Sequence, residues 1–287
     1  MPSLKISLGD DHRWLSLHYV AEGSGSPVIL LHGLGGFAES WRHNLPVLGH
    51  RLSVFALDLP GFGLSDKPPV RYRLPFFVRV MDGFIEALGL ERVALVGHSL
   101  GGAIAAAYAV AHPWRVNRLA LIGGVVPGFD YRISWVYRLV ALRGFGELIA
   151  RFARPGLYRA ALARCFASPD GEEVEFLVQT SYETRANPEG RAAYLSALRE
   201  VRNDFAVNDG FYRKHLEALN LPTLLIHGRQ DPVVATAHAE RVAARLRQAT
   251  LEWVEGCGHF PQIEHADDVN RLLLEFLAPQ TVSSHSR

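Results

Sequence analysis

The stretch that most constrains this chain is Gly97-His98-Ser99-Leu100-Gly101-Gly102. It follows a β-type apolar run, Val93-Ala94-Leu95-Val96, and leads into an alanine-rich helical run from Ala103 to Ala111. A strand that turns at once into a helix through G-x-S-x-G brings backbone segments too close for a Cβ on either side of the serine. Gly97 and Gly101 meet that need. Ser99 is then lifted to the end of its strand, and the rest of the chain can be asked what surrounds it.

The flanking sequence supplies a sheet for such a turn. Residues 4–8 and 15–20 alternate and are separated by Gly9-Asp10-Asp11, which predicts an opening antiparallel hairpin. Val28 to Leu31 is apolar throughout, as a buried parallel strand requires, and ends at His32-Gly33-Leu34-Gly35-Gly36. A helix is expected over 38–48 and a strand over Leu52–Leu57, running into Asp58-Leu59-Pro60-Gly61. A second helix is expected from Phe76 to Leu88, stopped by Gly89, and a strand from Val116 to Ile122. Strand and helix alternate again after residue 220: strands at Thr223–His227 and Thr250–Val254, helices at Ala237–Leu246 and Ala266–Leu277. This predicts an α/β protein with a mostly parallel sheet and helices on both faces. Residues 126–219 differ. They lack strand-like runs, carry helical spacing, and are punctuated at Pro155-Gly156, Pro169-Asp170-Gly171 and Pro188-Glu189-Gly190. The expected organisation is a core of residues 1–125 and 220–287 with an all-helical lid, 126–219, inserted over the carboxyl ends of the strands. Residues 279–287 are expected to be a frayed tail.

Composition excludes several classes. The 287 residues carry a formal net charge of only +1, so neither a nucleic-acid partner nor an acidic solvating tail is expected. The thirteen histidines are scattered without metal-ligand spacing, so no metal and no cofactor is expected. The two cysteines, Cys165 and Cys257, form no disulfide framework and fit a reducing, cytoplasmic setting. No apolar stretch is long enough for a membrane span, and the first residues lack a signal-peptide core.

Four landmarks occur in order: His32-Gly33-Leu34-Gly35-Gly36, the run from Asp58 to Pro68, the Ser99 turn, and the pair Gly228–Val234 and Gly256–His265. With them the chain resembles the α/β-hydrolase superfamily over nearly its whole length. The resemblance implies a serine nucleophile, Ser99, at a nucleophile elbow. His259 would be its base, since a near-neutral imidazole can take the serine proton and return it. Asp231 would orient that histidine, in the chain order Ser, Asp, His. Asp130, after the strand ending at Ile122, is the competing acid, and Asp58 is expected to be structural. The oxyanion would rest on the backbone N–H of Leu100, at the start of a helix, and of Leu34. His32, His98 and His227 are expected to brace loops, with the His98 ring turned away from the attacking face.

Haloalkane dehalogenases and epoxide hydrolases of this fold place an aspartate where this chain has Ser99. Hydrolases that cleave carbon–carbon bonds in ring-opened aromatic metabolites use serine and share the Cys257-Gly258-His259…Gln262-Ile263-Glu264-His265 style of loop. They tend to carry Trp after the histidine and Arg before a Tyr-Glu pair, where this chain has Phe260 and Ser181. The expected activity is therefore hydrolysis of a small carboxylic ester with a hydrophobic part, through an acyl-enzyme. The alternatives are carbon–carbon bond hydrolysis of a ring-fission dienoate, or a small-molecule receptor on the same fold. Trp135, Tyr137, Phe145, Phe166, Phe176 and Tyr182 are candidates for either lid core or pocket wall.

Overall fold

The structure is a computed structural model, and it describes residues 2–8, 14–131, 135–152 and 154–278. The expected turn at 9–11 and the expected tail at 279–287 lie outside these residues. The chain opens with β1 (Ser3–Ser7) and β2 (Trp14–Glu22), which pair antiparallel. Then follow β3 (Ser26–Leu31), α1 (Leu45–Gly49), β4 (Leu52–Leu57), α2 (Leu74–Ala87), β5 (Val93–His98), α3 (Leu100–Ala111) and β6 (Val116–Ile122). Five helices come next: α4 (Trp135–Val140), α5 (Phe145–Phe152), α6 (Pro155–Ala163), α7 (Gly171–Ala186) and α8 (Pro188–Ala218). The chain then returns through β7 (Thr223–Gly228), α9 (Thr236–Ala243), β8 (Ala249–Val254), α10 (Pro261–Glu264) and α11 (Ala266–Leu277).

The eight strands form one sheet in the order β1-β2-β4-β3-β5-β6-β7-β8. β2 is antiparallel to β4, and every pair from β4 to β8 is parallel. The chain steps from β3 outward to β4, then crosses back to β5 on the other side of β3. The carboxyl ends of β3 and β5 thus flank the point where the winding reverses, which is where open α/β sheets form their crevice.

The buried strands are apolar on both faces because both faces are covered. Ile29 and Leu31 of β3 and Val93 and Leu95 of β5 join the core under α2 and α3. Their neighbours Val28, Leu30, Ala94 and Val96 join the opposite core with Trp41 and α11. α3 is buried nearly all round, which explains its alanine content: small side chains let it lie close to the sheet. Gly89 ends α2 in the left-handed region, with Leu90 N–H on Ile85 O and Gly89 N–H on Glu86 O, the paired bonds of a Schellman stop. Two expected helices come out shorter. The 38–48 segment splits into a 3₁₀ turn, Ala38–Trp41, and α1, because Ser40 N–H and Oγ both return to Phe37 O. The helix after β7 closes at Ala243 rather than Leu246.

Each Pro-containing punctuation of the 126–219 segment starts a helix. Pro155 and Pro188 stand in the first turns of α6 and α8, where a missing N–H costs nothing. The Asp170 carboxylate caps α7 by accepting from the N–H groups of Glu172 and Glu173. α8 is long but kinked at Asn208.

Candidate active site

The turn after β5 has the strain its sequence implies. Ser99 has φ 51°, ψ −116°, a conformation L-residues rarely adopt. A Cβ on Gly97 would stand 2.4 Å from Gly101 O, and one on Gly101 would stand 2.2 Å from Leu31 O. Both flanking positions therefore exclude a side chain. Ser99 precedes α3 but makes no side-chain capping bond, so the hydroxyl is not used as a helix cap.

The parallel strands bring the remaining candidates to the same edge. Asp231 follows β7 and His259 follows β8. His259 Nδ1 lies 2.8 Å from Asp231 Oδ2. The other carboxylate oxygen accepts the N–H groups of Val233 at 2.7 Å and Val234 at 2.9 Å. Burial by itself pushes the Asp231 carboxyl up, but His259, His227 and the Val234 amide outweigh it and hold it below the usual range. An ionised Asp231 cannot donate, so the His259 proton sits on Nδ1 and Nε2 keeps its lone pair. Asp130 is exposed, with its backbone oxygen accepting from Arg241.

Other histidines hold this arrangement in place. His32 bridges two loops: its Nε2 accepts from Leu59 N–H at 3.0 Å, which leaves Nδ1–H to donate to Gly33 O at 2.7 Å. His227 Nε2 lies 2.8 Å from Val234 O, behind Asp231. Burial lowers the pKa of both rings. His98 braces a loop as expected, but it is not turned away from the cavity. Its ring forms part of the cavity wall and lies 4.8 Å from the His259 ring, with Nε2–H donating to His259 O at 2.8 Å. Burial first, and then the neighbouring His259, push His98 down to about 3, so it stays neutral and serves as a strut. Asp58 is structural, as expected. Its carboxylate gathers Ala38 N–H, Leu64 N–H and His18 Nδ1 within 2.6–2.8 Å and so anchors the loop after β3 from below.

Leu34 and Leu100 both line the cavity at the Ser99 turn, and neither backbone N–H is used in a hydrogen bond among the described residues. Gly33 permits this approach, since a Cβ there would stand 3.0 Å from both Ser99 Cβ and His98 Nδ1.

Several contributors had no distinct signal in the sequence. Gly123, at φ +50°, leaves room beside the acid–base pair: a Cβ there would meet His259 Nδ1 at 3.3 Å and Asp231 Oδ2 at 3.4 Å. Glu264 accepts from Gly258 N–H at 2.9 Å and Ala167 N–H at 2.8 Å, tying the His259 loop to the inserted helices. His259 N–H itself donates to Cys165 O at 2.7 Å. Gln262 is buried in the cavity wall, and its Oε1 has no hydrogen-bond partner among the described residues.

The cavity above Ser99 measures about 550 Å³ and is walled largely by apolar side chains of α4–α8 and the loop after β3. Of the candidate aromatics, Tyr137 and Tyr182 line it. Phe166 stacks on Phe260 at 4.8 Å, and Phe176 packs on Phe37 at 5.7 Å. Phe145 faces solvent, and the Trp135 side chain lies outside the described set. Ser181 Oγ–H donates to Gly35 O at 2.7 Å, joining α7 to the loop after β3. Arg164, Arg191 and Arg202 also border the cavity, Arg191 half-buried and the other two exposed. No group of three or more His, Cys, Asp or Glu residues able to hold a metal occurs among the described residues. No helix among them is long and apolar enough to cross a membrane.

Comparison with known proteins agrees with this fold. Residues 26–266 match the family described as the alpha/beta hydrolase fold. The chain is 31% identical to the 2-hydroxy-6-oxo-6-(2'-aminophenyl)hexa-2,4-dienoic acid hydrolase of Metapseudomonas resinovorans, over 91% of this chain and 87% of that one. It is also 31% identical to the 2-hydroxy-6-oxo-6-phenylhexa-2,4-dienoate hydrolase of Comamonas testosteroni, over 95% and 94%. The solved structure of the corresponding phenylhexadienoate hydrolase from Rhodococcus sp. strain RHA1 superposes with a TM-score of 0.80 at 27% identity, covering 96% of this chain and 98% of that one. The chain belongs to the α/β-hydrolase family, and both of these curated relatives are named as hydrolases of a 2-hydroxy-6-oxo-dienoate.

Proposed function

We propose that this protein is a serine hydrolase that cleaves the carbon–carbon bond beside a ketone in a 2-hydroxy-6-oxo-dienoate. Ser99 is its nucleophile, His259 its base, Asp231 the orienting acid, and Leu34 and Leu100 the oxyanion donors. The bond between Asp231 and the Nδ1 of His259, at the cavity edge that Ser99 shares, carries the assignment of the machinery. The substrate class is supported by relatives at about 30% identity that are named as hydrolases of such dienoates and whose match spans the inserted helices as well as the sheet. This replaces the ester as the first choice of substrate.

The chemistry balances without a cofactor. The dienol proton moves to C5, giving the keto form. Ser99 Oγ then attacks the C6 carbonyl as His259 takes its proton. The oxyanion rests on the two amides, whose loss singly would cost about 100- to 1000-fold in rate. Collapse breaks C5–C6, and the electron pair is delocalised towards the C2 oxygen. His259 returns the proton, and water attacking the acyl-enzyme releases the acid. The substrate carboxylate needs a cation, and Arg191 is the half-buried one in the wall. The two free cysteines fit action in the cytoplasm.

Ester hydrolysis is the second reading, favoured by Ser181. An uncharged hydroxyl bonded to Gly35 O stands before Tyr182-Glu183 where the resemblance leads one to expect an arginine. A panel of a phenyl dienoate, a methyl dienoate and nitrophenyl esters of rising chain length decides between them. The proposal expects kcat/KM for a dienoate to exceed that for every ester. Ester turnover with inert dienoates would move the assignment to the second reading.

A further inference from the structure

The thirty residues from 135 to 164 carry a charge unlike the rest of the chain. They hold six arginines, Arg138, Arg143, Arg151, Arg154, Arg159 and Arg164, against one acid, Glu147, in a protein whose formal net charge is +1. Glu147 is already engaged by Arg199 at 2.6 Å, and Arg159 pairs with Glu175. Among the described residues Arg138, Arg143, Arg154 and Arg164 make no ion pair.

The same segment displays apolar side chains to solvent. More than half of the exposed large hydrophobics among the described residues fall on it. On α5, Phe145, Leu148 and Phe152 recur at i, i+3 and i+7, so they share one face, and Phe152 is 67% exposed. Leu139 and Leu142 add to it from α4 and the following turn. Val136 and Leu157 line the catalytic cavity and yet are 46% and 62% exposed, so they mark its mouth. An apolar face rimmed by unpaired arginines is the pattern of a helix that lies in a lipid–water interface. A second copy of this chain is a poor fit, since apposing two such faces would set like charges against one another.

We propose that α4–α6 form a docking face for an anionic lipid surface, which brings the mouth of the Ser99 cavity against the bilayer. The apolar side chains enter the headgroup boundary and the arginines meet lipid phosphates. An apolar substrate dissolved in the bilayer then reaches the cavity past Val136 and Leu157 without crossing bulk water. This docking does not depend on which bond Ser99 cleaves.

Co-sedimentation of the full chain with sucrose-loaded vesicles tests it, comparing phosphatidylglycerol–phosphatidylcholine vesicles with phosphatidylcholine alone. Each arginine near an anionic surface strengthens partitioning about five-fold. The triple variant Arg143→Gln, Arg151→Gln, Arg154→Gln is therefore expected to bind roughly 100-fold more weakly than the wild type. Phe145→Ser, Leu148→Ser, Phe152→Ser is expected to abolish pelleting. All six positions are exposed, so thermal midpoints should stay unchanged and separate lost docking from lost folding. Wild-type protein that stays in the supernatant with anionic vesicles, or binds neutral vesicles equally well, overturns the proposal. So does a wild-type dimer in sedimentation velocity that the serine variant converts to monomer, because the face would then be a self-interface.

Discussion

Asp231→Asn separates the role of charge from the role of shape at this site. Asparagine has the same outline, and its oxygen can still accept the N–H groups of Val233 and Val234 that Asp231 Oδ1 accepts now. What changes is the atom 2.8 Å from His259 Nδ1, which becomes an NH₂ donor. His259 must then present a lone pair at Nδ1 and carry its proton on Nε2, where it is unable to accept the Ser99 proton. The imidazolium that forms in the transition state also loses its buried counter-charge. A tautomer reversal of this kind costs on the order of 10⁴-fold in kcat, about 5 kcal/mol of barrier. Folding should hardly change, because the backbone bonds survive and a buried charge is removed. The assay is steady-state turnover beside a thermal melt. A kcat within tenfold of wild type, with an unchanged melt, would refute the tautomer argument and return attention to Asp130.

Gly97→Ala and Gly101→Ala should each destabilise by about 3 kcal/mol, read as a lower urea midpoint, because the new methyl meets backbone rather than a movable side chain. Gly89→Ala is the control: nothing lies within 4 Å of its Cβ position, so only the left-handed strain remains, about 1 kcal/mol. Burial holds His98 down to about 3 and His238 to about 4, whereas both bind protons near 6.5 when unfolded. The unfolded chain therefore holds more protons between those values, and stability should fall with decreasing pH by about 2 kcal/mol per unit from about pH 6 to 4. A flat urea midpoint across that range would contradict it. Arg191→Gln should raise KM for a dienoate about tenfold and leave a neutral ester unaffected, since only the former carries a carboxylate to pair.

The sheet was legible because each buried strand is a short apolar run ending in glycine or a polar residue, and because Ser99, Asp231 and His259 follow three such ends directly. Local chemistry sufficed there. It did not suffice for His98. Its neighbourhood in sequence says only that it lies inside a sharp turn, whereas its partner, the His259 carbonyl, is 161 positions away. Glu264 and Cys165 were illegible for the same reason: they act across the gap between the His259 loop and the inserted helices. In that insertion helical periodicity was visible, and Pro155, Asp170 and Pro188 marked its starts. Which residues turn inward was not visible: Phe145 faces water and Ile149, one turn further along the same side of α5, lines the cavity, a division set by packing on α8 rather than by composition.

On this reading Ser99 opens a carbon–carbon bond by forming an acyl-enzyme. That step is tested most directly by mixing the protein with a phenyl dienoate, quenching with acid within the first turnovers, and locating the mass added to the peptide that contains Ser99. The expected result is a benzoyl increment on Ser99, loss of the dienoate absorbance, and neither signal in Ser99→Ala. Dienoate consumption that persists in Ser99→Ala, or proceeds at full rate with Ser99 unmodified in the wild type, would contradict it.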